Sequence, residues 1–85
     1  MTRREMLADF ARKGVAPSMF WLGDPSLANN VNGMAWNGES WIVYYRERGM
    51  LFDLARFERE EDAVAELHRR VLQSTVYSPE QRRGD

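Results

Sequence analysis

His68 is the only histidine in a chain of 85 residues that has no cysteine. The lack of cysteine removes Cys-His nucleophile arrangements, thiolate zinc sites and disulfides, and a single histidine removes multi-histidine metal sites and leaves His68 as the sole imidazole for a Ser-His-Asp arrangement. His68 lies beside Leu67, between an apolar stripe and a charged face of a predicted helix, and reads as a partly exposed surface histidine, with a general base as the alternative. The carboxylates Glu58, Glu60, Glu61 and Asp62 cluster where a helix should start. There they answer the positive end of the helix dipole, and they lack the spacing of a calcium loop. Gly23 and Gly33 complete neither G-x-x-x-x-G-K-S/T nor G-x-G-x-x-G, so no phosphate cradle is expected. The expectation is a protein without catalytic machinery, metal or cofactor, which works by binding.

The side chains suited to binding are aromatic and Arg-rich. Hydrophobic residues make up 44% of the chain and aromatics 12%, with three Trp, three Tyr and four Phe. Trp41, Val43 and Tyr45 alternate onto one face of a predicted strand, and Ile42 and Tyr44 onto the other. Two helices cover only one face of a small sheet. The remaining aromatic surface is either sheltered by long Arg side chains and the 23–33 loop or offered as an interface. Asp53 interrupts an apolar strand. Strict alternation places it with Leu51 and Ala55, opposite Phe52 and Leu54, facing solvent or acting as an acidic contact.

Twelve basic and thirteen acidic residues leave a net charge of −1. A nucleic-acid module carries a basic excess, so stacking of single strands on the aromatics is held only as a minor alternative. All the basic residues except Lys13 are Arg, which reflects either base composition or a use for bidentate contacts. No apolar run approaches the ~20 residues of a membrane span. The start, Met1-Thr2-Arg3-Arg4-Glu5, lacks the pattern of a signal peptide, so no membrane association is expected and the cytoplasm is the expected compartment.

These side chains need elements to hold them. Thr2 and Glu5 have the spacing of a capping box, followed by apolar Met6, Leu7, Phe10 and Ala11 and a basic turn before Gly14, which predicts a first helix. A short strand is expected near 19–22, then an irregular Asn-rich segment with a helical turn near Ser26–Asn29 and turn residues at Asn29, Asn30 and Asn32-Gly33. Met34–Trp36, an Asn37-Gly38 turn and Glu39–Tyr45 read as a hairpin. Glu47-Arg48-Gly49 closes that strand, and Met50–Phe57 returns antiparallel. The final helix starts in acid and ends near Arg69 and Arg70. Its stripe is Ala63, Val64, Leu67 and Val71, and Glu66 and Arg70 form an i,i+4 pair. The predicted fold is α+β: an antiparallel meander of three or four strands flanked by an N-terminal and a C-terminal helix. Residues 1–77 form one domain, and 78–85, with no apolar residue, a flexible tail.

The segment Trp41-Ile42-Val43-Tyr44-Tyr45-Arg46-Glu47-Arg48-Gly49, with Leu54-x-x-Phe57 and then Ala63 and Leu67 after an acidic helix start, resembles a group of small bacterial proteins. They often lie beside polymorphic toxins and are read there as immunity proteins. Pro17, Phe20 and Leu22 loosely match a Pro-x-x-Tyr-x-Leu stretch of that group, so the resemblance covers roughly residues 15 to 72. It departs at Asp53, where the group has a small residue before Leu54, and in the loop 28–33. The resemblance implies a cognate toxin as partner, occluded by the sheet, the Glu47–Gly49 turn and the 23–33 loop. The anchors expected there are Trp41, Tyr45, Arg46 and Arg48, with Glu39 and Asp53 as charged contacts. Two readings stay beside it. The tight turn needs no partner to explain Glu47 and Arg48, and a spare aromatic face serves equally well for a homodimer in a structural protein.

Overall fold

A computed structural model describes residues 1–76; the tail 78–85 lies outside the described residues. Two α-helices, α1 (Arg3–Arg12) and α2 (Glu60–Val76), bracket a four-stranded sheet of β1 (Phe20–Leu22), β2 (Val31–Trp36), β3 (Trp41–Glu47) and β4 (Met50–Phe57), in spatial order β1-β2-β3-β4. The fold is α+β, as the patterning predicts.

The helix α1 begins on the predicted capping box. Thr2 Oγ1 accepts from the Glu5 N–H at 3.1 Å, and Glu5 Oε1 accepts from the Thr2 N–H at 2.8 Å. It ends in a Schellman turn. Gly14, at φ +76°, donates to Ala11 O, and Val15 donates to Phe10 O at 2.9 Å. The buried face differs from the apolar face read in the sequence. Met6, Phe10 and also Asp9 are buried, whereas Leu7 and Ala11 are exposed. Asp9 is tolerated there because bases converge on it: Arg12, Lys13 Nζ at 3.0 Å and His68 Nε2 at 2.7 Å. The hydrogen bond from His68, reinforced by Lys13, holds its carboxyl down to about 2. His68 also stacks on Phe10, with ring centroids 5.5 Å apart. It therefore docks α1 on α2 rather than sitting free on the surface.

The sheet is mixed. The strands β2, β3 and β4 form the expected antiparallel run, but β1 lies parallel to β2, with Phe20 opposite Asn32 and Leu22 opposite Met34. Parallel neighbours need a crossover. Because β1 is so short, residues 23–30 suffice, passing over one sheet face with a 3₁₀ turn at Pro25–Leu27. Asn32-Gly33 is consequently part of β2 and not a turn. The β2–β3 turn also sits one residue later than Asn37-Gly38 implies. Its central residues are Gly38, at φ +98°, and Glu39, while Asn37 Oδ1 accepts from the N–H groups of Glu39 and Ser40.

Both sheet faces are covered. The helices bury Met34 and Val43 with Met6, Phe10, Ala63, Val64, Leu67 and Val71. On the opposite face the crossover packs Trp21, Ala28 and Val31 against Ala35, Ile42 and Tyr44. Of the two outcomes open for this face in the sequence, the loop shelters it. Tyr44 is fully buried and donates to Gly23 O at 3.0 Å. Burial pushes its phenol up to about 12. An unfolded tyrosine ionises near 10, so the folded state holds this proton more tightly. The stability this contributes is intact below about pH 10 and is lost as pH rises from about 10 towards 12. Tyr44→Phe is expected to cost about 1 kcal/mol at neutral pH for the missing hydrogen bond and to flatten the alkaline decline. Urea midpoints measured every half unit from pH 8 to pH 12 check this, and parallel curves for the two proteins would refute it.

Candidate protein-docking surface

The outer strand β4 is the least sheltered part of the sheet, because α2 lies mainly over β2 and β3. Met50, Leu51, Phe52 and Leu54 are 60%, 42%, 43% and 46% exposed. These large side chains line one edge of the sheet, Met50 and Phe52 on the face of Tyr45 and Leu51 on the face of Arg46.

Its local shape comes from a bulge. Val43 pairs with Ala55 and Tyr45 with Phe52, so two steps along β3 match three along β4. Asp53, at φ +53°, occupies the irregularity. The extra residue breaks the alternation read from the sequence. Phe52 returns to the helix-side face with Ala55 and Phe57 and lies 6.5 Å from the Tyr45 ring. Glycine adopts this left-handed backbone freely, and Asp is among the side chains that tolerate it.

Beside the bulge, α2 and the sheet part to leave an open groove of about 620 Å³. Asn32, Tyr45, Asp53 and Leu54 form the sheet wall, and Arg69, Arg70, Gln73 and Ser74 the helix wall. The helix wall is tied to itself. Arg69 reaches both oxygens of Glu66 at 3.2 and 2.7 Å and Gln73 Oε1 at 3.1 Å, and Arg70 Nε reaches Glu66 Oε2 at 2.7 Å. These bonds, Arg69 first, hold the Glu66 carboxyl below its ordinary range.

The six side chains singled out in the sequence fall in three places. Tyr45 and Asp53 meet at the groove. Arg46 and Arg48 belong to the opposite end of β3 from Trp41 and Glu39. Arg46 is half-buried, and its charge helps to lower the Asp24 carboxyl, behind the larger effect of the Ser26 hydrogen bonds. Arg48 is exposed at φ +53° in the two-residue turn with Gly49, and its N–H donates to Asn30 Oδ1 at 3.3 Å. Trp41 is half-buried against the helix-side core and pairs with the exposed Trp36 at 5.5 Å. Glu39 is exposed in the β2–β3 turn.

The exposed apolar edge of β4 was missed by the residue-level reading, although the run Met50-Leu51-Phe52 in a last strand was its signal. The groove was missed because its walls come from distant parts of the chain. Among the described residues, no group of three metal-ligating side chains converges, and no helix is long and apolar enough to cross a membrane. Comparisons with protein-family models, curated proteins and solved structures gave no match.

Proposed function

We propose that this chain is a non-catalytic binding protein of the immunity type, which docks on a cognate bacterial toxin domain through β4 and its flanking turn. The observation that carries the reading is the exposure of Met50, Leu51, Phe52 and Leu54 on an outer strand of a sheet whose two faces are otherwise covered. Large apolar side chains exposed together on an outer strand mark interaction sites. Aromatic side chains at the centre of such a patch carry a large share of binding energy, which makes Phe52 the expected anchor, with Tyr45 behind it. His68 is taken up between the helices by Asp9 and Phe10, which favours occlusion over catalysis. The near-neutral charge favours apolar contact over electrostatic capture.

The immunity reading expects a large secreted protein with a variable C-terminal domain in the neighbouring reading frame, and the test is co-expression with that domain followed by co-purification. A stable complex is expected. Phe52→Asp should weaken it by roughly 30-fold or more, the scale of a hot-spot loss, with an unchanged circular dichroism spectrum. Failure to co-purify with that domain would end the immunity reading. A complex insensitive to Phe52→Asp would move the interface off β4.

A further inference from the structure

We infer that the groove beside the β4 bulge receives an acidic side chain of the partner protein, whose carboxylate forks onto the free end of the Arg70 guanidinium. The inference rests on reading β4 as a docking edge and specifies a polar contact made beside it.

Arg69 and Arg70 share a single carboxylate, Glu66, so the helix wall carries one positive charge beyond its internal pairing. The two arginines are not used alike. Arg69 is engaged through Nε and Nη2 by Glu66 and through Nη1 by Gln73. Arg70 gives only Nε to Glu66, and its Nη1 is buried with no hydrogen-bond partner among the described residues. A buried donor left unmet costs stability, and native proteins keep few of them. The edge of a guanidinium formed by Nη1 and Nη2 matches the two oxygens of a carboxylate. Arg70 lines the groove, and with Nε tied to Glu66 that edge is the part of it still able to bond. Its side chain is 14% exposed, so docking requires a rotation towards the groove, which also gives Nη1 its acceptor. Asp53 stands exposed on the opposite wall and makes no ion pair with either arginine among the described residues. Over the groove as a whole its charge offsets the excess on the helix wall. The guest is therefore held by the short-range fork, not drawn in by a long-range field. Leu54 lines the groove and Phe52 lies beside Tyr45, so residues flanking the acid meet apolar surface.

The contact can be tested without the partner. Acetyl-leucyl-glutamyl-leucyl-amide is titrated into the full-length ¹⁵N-labelled protein, with the glutaminyl and arginyl peptides in parallel. The glutamyl peptide should shift the Arg70 Nε–H signal and the amides of Asn32, Tyr45 and Gln73. The glutaminyl peptide should bind about tenfold more weakly, the scale of losing a charge-assisted bond, and the arginyl peptide should shift none of them. Arg70→Met keeps the apolar stem, removes the unmet donor and leaves Glu66 paired with Arg69. It should lose the glutamyl peptide while its urea midpoint stays at or above that of the parent. Asp53→Asn removes the opposing charge and should tighten the glutamyl peptide roughly twofold to fivefold. No shift at the solubility limit of the glutamyl peptide, or an arginyl peptide that binds as tightly, would overturn the proposal. So would unchanged glutamyl binding in Arg70→Met, a midpoint well below the parent's in that variant, or weaker binding in Asp53→Asn. Because no toxin is present, these outcomes are independent of the co-purification test. A groove that refuses the acid beside a working β4 interface would reject the carboxylate contact alone.

Discussion

Gly33→Ala is expected to destabilise the protein by about 3 kcal/mol, the upper part of the range for overpacking a well-packed core. A Cβ on Gly33 would stand 2.5 Å from the Tyr44 hydroxyl and 2.7 Å from the carbonyl oxygen of Trp21. Neither neighbour can yield cheaply. Trp21 O is main chain in the paired strand β1, directly across the register from Gly33. Tyr44 is fully buried and anchored on Gly23 O. The extra methyl therefore pushes β1 off the sheet or lifts the Tyr44 ring out of the crossover. Urea unfolding should show a midpoint lower by roughly 1–3 M, taking the denaturant dependence usual for a small domain. Adding Tyr44→Phe to Gly33→Ala should recover part of the loss, because it removes the nearest of the clashing atoms while leaving Trp21 O and the ring carbon Cζ, each 2.7 Å away. A Gly33→Ala midpoint equal to that of the parent would mean that β1 does not hold this register.

Phe10→Ala is expected to be more damaging, at about 3–5 kcal/mol. Phe10 is almost fully buried. Its ring lies 5.0 Å from Phe20 and 5.5 Å from His68, and its carbonyl closes the end of α1 by accepting from Val15. Truncation opens a cavity where α1, α2 and β1 meet. It also takes the apolar cover from the Asp9–His68 pair, whose hydrogen bond then competes with water. A core of this size rarely leaves more than about 3–5 kcal/mol in reserve, so the variant should be largely unfolded at 25 °C. Near-ultraviolet circular dichroism and amide exchange of the α2 core would show it. Retention of native exchange protection at Val64 and Leu67 would refute the central place given to Phe10.

What the sequence discloses and what it hides divide along range. The capping box at Thr2 and Glu5, the stripe Ala63–Val64–Leu67–Val71 and the Glu66–Arg70 pair are local relations, and each stands in the structure where the spacing puts it. The Asn32-Gly33 dipeptide carries a local signal that points the wrong way. Read alone it is a turn, yet within a strand a glycine marks close backbone approach, and here Trp21 and Tyr44 approach it from either side. The parallel pairing of β1 and the shelter of Tyr44 both depend on where the 23–30 segment crosses. The Asp9–His68 contact joins residues 59 positions apart. No spacing rule reaches such distances. For the candidate site, Tyr45 and Asp53 were visible as an aromatic and an acid worth weighing. Their shared groove was not visible, because one inserted residue reverses the face assignment of everything beyond it.

That inserted residue also governs how the protein tolerates its own stickiness. An outer strand with bare apolar side chains and unpaired peptide groups is the usual seed for copies stacking edge upon edge. The kink at Asp53 divides β4 into two short stretches that cannot both lie flat against one straight neighbour. A second copy approaching in ribbon fashion therefore finds only a few continuous rungs. A guest with a contoured surface meets no such obstacle. The same irregularity that leaves the edge open to a shaped visitor denies it to an endless file of its own kind.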